Sequence, residues 1–594
     1  PVSTVGVERK RKMILNLSPE FRLELTGESK CAARTEYAGG IGIVTLEFDA
    51  PPEPFAVEWR IPQHDIEFRW TSASGKIGEG YQQFLPPSWH SRQEAEPSRH
   101  APVFALVGAA GVNRLTAAVS DCRHRVGFRA GIGEEGFNAE CAFLFDELPA
   151  EPYRVQLRFD LREVPFPEAV AAVAAWWEAM PELPPLETPP GALEPVYSTW
   201  YGHHRAVSDE AVEREVVSAL EYGMKTVIVD DGWQQTGSQG GYAFAGEWRP
   251  DMRRFPQMER HVARVRASGM RYLLWIALPF VGGESRIFPE MRSKLLYFSP
   301  GLNTWILDPR FPEVREHLIG VCLRLLAEYR LDGLKIDFLD RFPLPPGTPD
   351  PAVADGFVGR DCRTVAEGVH RLLAGLGGQL RRLPHLPLIE FRQDYIGPEM
   401  RHAANIFRVT DCPGDRIANR RRIVQLRLLS GGTAVHSDML GWHPEEPVES
   451  AILQLWNVVF AVPQISVSLG ELSAAHRRML RFFLGFWEEH RHVFLHGTFR
   501  PEGAGRNYPQ ISAVSGEECA VAVYDPCRLV CPDAVPKSLL INATPARELA
   551  VGCQGETRQA EVFDCMGEAV GVFPVRPGLS RLPVPPGGVA IIGK

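Results

Sequence analysis

Short apolar or alternating runs, separated by Pro, Gly, Asp and Ser, fill roughly the first 160 residues; Ile41–Phe48 and 153–159 are examples. Many short strands with turn punctuation and almost no helical period predict a β-sandwich. A helical stretch over 167–180 then runs into a segment crowded with prolines at 181–190. Proline cannot sit inside a helix or a central strand, so 181–195 reads as a linker.

Beyond the linker the pattern changes. Apolar runs at 196–201, 226–231, 272–278, 333–338, 386–391, 406–411, 433–438 and 465–469 alternate with segments of helical period. The helical segments include 208–222, 257–267, 312–329, 416–429 and 474–490. Eight strands joined by helices predict a (β/α)8 TIM barrel rather than an open doubly wound sheet. No Gly-x-Gly-x-x-Gly turn follows the first strand, which argues against a dinucleotide fold. Short β runs return near the C-terminus, for example 519–524 and 588–592. The expected α/β architecture is therefore an N-terminal β-sandwich with a connecting helix (1–180), a linker (181–195), a catalytic barrel (196–497) and a C-terminal antiparallel β domain (498–594).

Composition narrows the class. Of 594 residues, 45% are hydrophobic and 23% charged, which excludes a disordered or fibrous chain. The formal charge of −9 provides no basic field for nucleic acid, and no apolar run reaches the roughly 18 residues of a membrane span. Arg9–Arg11 and Lys12 are not followed by an apolar stretch, so no secretory signal is expected. Eleven scattered cysteines without a Cys-x-x-Cys pair read as reduced thiols of a cytoplasmic protein.

In such a barrel the chemistry gathers at the C-terminal ends of the strands. Strand two ends in Asp230-Asp231-Gly232-Trp233 and strand four in Lys335-Ile336-Asp337. Strand six ends in Arg408-Val409-Thr410-Asp411, strand seven in His436-Ser437-Asp438, and strand one supplies Trp200 and Tyr201. Carboxylates on one rim with tryptophans between them suit a sugar, whose hydroxyls donate to the acids and whose apolar face lies on an indole. Lys335 and Asp337 are two apart and share a strand face, so the ammonium favours an ionised carboxylate. An ionised Asp is a candidate nucleophile, and a second carboxyl retaining its proton is a candidate general acid.

Each signal also has a structural reading. A strand-end Asp can cap the following helix, and Lys335–Asp337 can be a plain ion pair. His436 with Asp438, or His203 with His204, could suggest a metal, but no clear third ligand accompanies either pair, so no metal is expected. Arg420-Arg421-Arg422 reads as a solvated or ion-paired helix face, and Trp176-Trp177 as packing. Asp394 and Asp415 are open between catalytic support, cap and turn.

These residues resemble glycoside hydrolase family 36, the α-galactosidases, in the clan that also holds family 27. The family's Asp-Asp-Gly-Trp stands here at Asp230–Trp233, with the strand-one tryptophan at Trp200. The Lys-x-Asp strand end matches Lys335 and Asp337, and a Leu-Asp step precedes it at Leu307-Asp308. A Gly-Pro-x-Met turn at 397–400 precedes Arg408–Asp411, which corresponds to the segment closing on the family's acid/base. The resemblance implies Asp337 as nucleophile and Asp411 as acid/base, with Asp415 as the alternative. It implies Asp230 and Asp231 on the sugar's outer hydroxyls. Trp200 and Trp275 would form walls, and Lys335, Arg408, Arg392, Tyr201, His203 and His436 further contacts. Two departures stand out. The Cys-Ser-Gly-Gly-Gly run of strand five is replaced by 388–394, and the Arg usual before the Leu-Asp step is absent from 302–304. Recognition around O2 is therefore expected to differ, with Arg392 or Gln393 as substitutes.

The expected function is a retaining exo-glycosidase removing terminal α-D-galactosyl residues by double displacement, without a cofactor. The alternatives are another galacto-configured sugar (α-N-acetylgalactosaminide or β-L-arabinopyranoside), galactosyl transfer to a sugar acceptor, a metal-dependent hydrolase, or a binding protein on a decayed barrel. The expected partner is a glycoside or oligosaccharide, with no nucleic acid or membrane, and the family's frequent oligomerisation extends to this chain as an expectation.

Overall fold

The computed structural model describes residues 11–72, 92–133, 136–182, 184–392 and 395–593; Gln393, Asp394, Arg9 and Lys10 lie outside the described residues. Near the N-terminus, two six-stranded antiparallel sheets face each other. Alternation does the work: in Arg22–Gly27, Leu23 and Leu25 point inward while Arg22 faces water. Trp59 of one sheet stacks on Phe104 of the other, with ring centroids 6.0 Å apart, inside a core that draws on both sheets. The helix Phe166–Glu178 follows, anchored by Trp177, whose Nε1 donates to Val119 O at 2.9 Å.

Eight parallel strands close into a barrel: β1 (Val196–Ser198), β2 (Thr226–Val229), β3 (Arg271–Ala277), β4 (Gly333–Asp337), β5 (Leu388–Arg392), β6 (Ile406–Arg408), β7 (Ala434–Leu440) and β8 (Val462–Ile465). Seven of the eight sequence-derived strands are present; the eighth, expected at 465–469, lies earlier, at Val462–Ile465. Most are shorter at the C-terminal end, because hydrogen bonding stops where the chain turns to present polar side chains. Trp200 and Tyr201 accordingly lie on a short helix, Trp200–His203, and not on β1.

The two-residue period sorts the interior by height. Val196, Ile228, Leu273, Leu388, Ile406 and Ala434 form an apolar floor, closed by Ala192 from the turn Pro190–Leu193. Two residues further along, the same faces carry Asp230, Trp275, Lys335, Glu390, Arg408 and His436. Two further again come Asp337, Arg392 and Asp438. One parity rule thus builds a dry floor and a polar mouth.

Between β3 and β4 a three-stranded antiparallel sheet intervenes (Phe280–Val281, Thr304–Leu307, Leu295–Ser299), which the sequence pattern had not disclosed. The C-terminal part holds a seven-stranded and a three-stranded sheet. Their pairings are antiparallel, as expected, except that Glu518–Val523 pairs in parallel with Lys537–Asn542 and Leu529–Val530 with Leu549–Cys553. Long connections allow such crossovers, which a tight hairpin would forbid. Among the described residues, no helix is long and apolar enough to cross a membrane.

Candidate active site

Asp337 ends β4 at the barrel mouth and is 8% exposed. Its Oδ1 accepts from the Phe338 N–H at 2.6 Å and from Arg392 Nε at 2.8 Å; its Oδ2 accepts from Trp275 Nε1 at 3.1 Å. Phe338 has φ +65°, a left-handed conformation that is costly for a bulky residue and that folds its N–H back onto the carboxylate. Phe280 holds the Phe338 ring at 4.8 Å, and Arg392 lies 5.7 Å over it. Burial alone would raise the Asp337 carboxyl, but Arg392, Lys335 and Arg408 together hold it well below the usual aspartate range.

Arg392 is the hinge of this corner. Besides Asp337 it donates to Asp340 Oδ1 and to Thr410 Oγ1, each at 3.0 Å, so it ties β4 to the loop that carries Asp411. Lys335, expected as the direct partner of Asp337, instead places Nζ 2.5 Å from Asp230 Oδ2 and 3.9 Å from Glu390 Oε1. It acts on Asp337 through space, while Arg392 supplies the hydrogen-bonded cation.

Asp411 differs. Its side chain is 54% exposed, and Arg408 Nη1 donates to its Oδ1 at 2.9 Å. Burial of the surrounding loop and the charge of Asp337 push its pKa up, Arg408 pushes it down, and the net direction is down. Arg408 itself is anchored by Asp438 Oδ1 at 2.5 Å. Asp438 Oδ2 accepts from Tyr201 Oη at 2.9 Å and from the Cys412 N–H at 2.6 Å. Arg422 donates to the carbonyls of Thr410 and Asp411.

Asp230 and Asp231 follow β2 side by side. Burial raises the pKa of Asp230, partly offset by Lys335. Asp231 accepts from Arg205 Nε at 3.0 Å, Tyr242 Oη at 2.9 Å and Gln234 Nε2 at 2.5 Å. Gly232 is required here: at φ +128°, an added Cβ would lie 2.8 Å from the Arg205 Cα. Trp233 donates to the Trp275 carbonyl at 2.8 Å, which steadies the strand whose indole holds Asp337. Trp200 is half-buried, its ring 4.5 Å from that of His204.

Several expectations need correction. His436 is fully buried, with Nε2 donating to Ala192 O at 2.8 Å and Nδ1 facing Gln464 Nε2 at 3.1 Å. It belongs to the layer below the mouth, and burial pushes its pKa down to about 4, so it is a neutral structural group and not a sugar contact. His203 turns to Glu215, 3.4 Å away, whose other oxygen accepts from the Leu469 N–H. Asp415 caps the helix Arg416–Leu429 through the N–H groups of Ile417 and Ala418, which accounts for it without catalysis. The run 420–422 is buried, not solvated. Arg420 stacks 4.1 Å over Tyr524 and donates to Asn507 O, joining the barrel to the C-terminal sheet. Asp308 is fully buried between Arg310 and Arg360. No three His, Cys, Asp or Glu side chains among the described residues are grouped to hold a metal ion.

Glu390 is the group that sequence reasoning passed over. It is wholly buried at the centre of the barrel, accepts from Gln464 Nε2 at 2.5 Å, and lies 3.5 Å from Arg408 Nε. Burial raises its pKa against the pull of Lys335 and Arg408. An acid inside the run Leu388-Ile389-Glu390-Phe391, two residues before an inward Arg392, was the available signal.

The arrangement thus places one clamped, ionised carboxylate and one half-exposed carboxylate on neighbouring corners of a buried polar mouth. The same three-part architecture occurs in solved structures. The α-galactosidase of Lactobacillus brevis superposes with a TM-score of 0.64 over 98% of this chain and 83% of that one, at 13% identity. A family 36 α-galactosidase of Geobacillus stearothermophilus superposes with a TM-score of 0.62 over 98% of this chain and 82% of that one, at 14% identity. The chain has the fold of the family 36 α-galactosidases. The resemblance read from its motifs is borne out at that level. Among curated sequences, α-galactosidase 2 of Pediococcus pentosaceus is 26% identical over 196 residues, 32% of this chain and 26% of that protein. The probable α-galactosidase C of Aspergillus flavus is 22% identical over 159 residues, 24% and 21% of the two chains. The match therefore spans about a quarter of the length of these curated relatives. No protein-family model matches the chain.

Proposed function

We propose that the chain is a retaining exo-glycosidase that hydrolyses terminal α-D-galactosyl residues. One observation supports this reading above the others: Asp337 is fixed at a barrel strand end, held ionised by Arg392, and oriented by Trp275 and the Phe338 N–H. Relatives of the same fold support the sugar, since related Geobacillus enzyme variants are described in complex with raffinose and stachyose.

In this mechanism Asp337 attacks the anomeric carbon, the glycosidic C–O bond breaks, and Asp411 gives its proton to the departing oxygen. Water then attacks the glycosyl-enzyme, Asp411 takes its proton, and Asp337 leaves as carboxylate. The negative charge of Asp337 raises the proton affinity of Asp411. Arg408 holds the net direction down while the side chain faces water; a substrate that covers the exposed carboxyl removes that water, and the added desolvation favours the acid form. Ester formation cancels the Asp337 charge, so the Asp411 pKa falls and it becomes a base. Asp230, oriented by Lys335, and Asp231 accept hydrogen bonds from hydroxyls at the non-reducing end. The protein's own carboxyls supply both steps, so no cofactor is called for.

A panel of nitrophenyl glycosides with wild type and Asp337→Ala tests the proposal. Release from the α-galactoside, lost in the variant, supports both sugar and nucleophile. Release only from the α-N-acetylgalactosaminide or β-L-arabinopyranoside keeps the mechanism and replaces the sugar. Galactosyl transfer outpacing hydrolysis at high sugar acceptor makes the enzyme a transferase. Silence across the panel overturns the proposal.

A further inference from the structure

The corner that holds Asp337 contains a second carboxylate. Asp340 stands in the 3-10 turn Leu339–Arg341, which the left-handed Phe338 opens. Three parts of the molecule fix this turn. Arg392 of β5 donates from Nη2 to Asp340 Oδ1 at 3.0 Å, and Tyr297 of the inserted sheet donates to Arg341 O at 2.6 Å. Arg99 of the sandwich reaches Asp340 O at 3.5 Å. The other charged or titratable groups around the corner are Lys335, Arg408 and Asp411 of the barrel, Arg341 on the turn itself, and the hydroxyls of Tyr297 and Tyr395.

The Arg392 side chain is 13% exposed, and each of its nitrogens has an acceptor: Asp337 on Nε, Asp340 on Nη2 and Thr410 on Nη1. A guanidinium cannot give up its charge, so in this setting it needs anions beside it. One carboxylate balances it in the resting protein. The second matters when Asp337 reacts. As an Asp337 oxygen bonds to the anomeric carbon, the glycosidic C–O bond breaks, the departing oxygen takes the Asp411 proton, and the Asp337 charge is cancelled. Arg392, Asp337 and Asp340 together then pass from net negative to neutral. Without the Asp340 charge, the same three groups would pass from neutral to positive. That positive charge would stand beside a transition state that is itself cationic at the anomeric carbon, a direct penalty at short range in a buried site.

We infer that Asp340 is a positioning residue that holds Arg392 and balances its charge, so that the cation orienting Asp337 does not oppose the sugar cation forming next to it; this rests on the glycosidase reading above. Asp340 acts through Arg392 and not on the sugar. With Arg392 gone, the same carboxylate becomes a burden, because only its repulsion of Asp337 remains. The effect of removing its charge therefore reverses in sign with Arg392 present or absent.

The test is a cycle of four proteins: wild type, Asp340→Asn, Arg392→Gln and the double variant. Asparagine has the shape of aspartate and keeps an oxygen for Arg392 to donate to, so the substitution removes charge and little else. In the wild-type background, Asp340→Asn is expected to lower kcat/KM on a nitrophenyl α-galactoside about tenfold and to lower the apparent thermal midpoint. In the Arg392→Gln background it is expected to raise both. The pH profile carries the same sign: Arg392→Gln moves the acid limb of kcat/KM to higher pH, and adding Asp340→Asn removes a neighbouring negative charge and moves the limb back down. Equal losses in the two backgrounds would make Asp340 a structural residue independent of Arg392 and overturn the inference. So would an Asp340→Asn protein that matches wild type in both activity and midpoint, or an acid limb that rises further in the double variant. If wild type releases no nitrophenol, the glycosidase reading fails separately. The thermal midpoints of the same four proteins then judge the charge balance without any substrate: a reversal of sign supports it, and equal losses overturn it.

Discussion

Asp337 and Asp411 stand on the same rim of the same barrel, yet their surroundings are opposite in kind. Asp337 is 8% exposed and receives three hydrogen bonds from a backbone amide, an indole and a guanidinium. The Asp411 side chain is 54% exposed and is tethered through one oxygen to Arg408. The difference teaches what each position can do. A carboxylate whose lone pairs are already aligned and whose charge is compensated has little freedom to change its protonation state. It suits an attacking group. A carboxylate at the edge of water, whose proton affinity depends on the charge of its neighbour, suits proton transfer in both directions.

Four substitutions would break or sharpen that comparison. The largest effect is expected from Asp337→Ala, which removes the proposed nucleophile and should lower kcat/KM on a nitrophenyl α-galactoside on the order of 10⁴-fold or more. Residual activity within tenfold of wild type, measured on freshly purified variant, would remove Asp337 from that role. Asp411→Ala should lower kcat/KM, which reports the first step alone, roughly 10² to 10⁴-fold on raffinose and much less on α-galactosyl fluoride, because fluoride departs without a proton. Equal losses on both would show that Asp411 does something other than proton transfer.

Arg392→Gln comes next, at roughly 10- to 100-fold, because it removes one charged donor from a preorganised carboxylate. Its signature is a pH profile. The ionised form of Asp337 is the active one, so activity falls as pH drops through its pKa. Arg392 depresses that pKa, so its removal moves the acid limb to higher pH. The stability that the depressed pKa confers on the fold is likewise present above the ordinary aspartate range and lost as pH falls through the folded value, a window that narrows in the variant. An acid limb that stays in place would show that Lys335 and Arg408 suffice. Smallest is Asp415→Ala, which should cost about 1 kcal/mol in urea unfolding through loss of a helix cap while leaving kcat within a few-fold. A loss like that of Asp411→Ala would reverse the assignment of the acid/base.

Much of this was legible in the chain, and particular elements show where legibility stopped. Seven of the eight barrel strands could be read in place, and the eighth only to within a few residues, because apolar runs of five to seven residues recur between helical segments; the parity of Lys335 and Asp337 followed from the strand period. Gly232 stood in the sequence only as part of the Asp230–Trp233 segment; the reason for it, an approach to the Arg205 backbone that leaves no room for a Cβ, could not be read there. Arg392 looked like a substitute for a missing sugar contact, whereas it is bound to Asp337, Asp340 and Thr410. His436 looked like a rim residue because it lies near a strand end, but β7 continues to Leu440, which leaves His436 a layer lower. The arginines at 420–422 read as a polar face because charge suggests water; burial against the C-terminal sheet and the acid loop overrides that suggestion.

The sequence by itself determined which side chains face the barrel interior and which acids reach its mouth, because strand parity and turn chemistry are local properties of a few residues. Tertiary structure alone decided the height of each inward group and its partner across the barrel. Those depend on the stagger between strands and on contacts between residues separated by 50 to 270 positions, such as Arg392 with Asp337 and Tyr197 with Val467. That is why Asp337 came to be clamped by Arg392 and not by Lys335, and why Asp411 was left facing water.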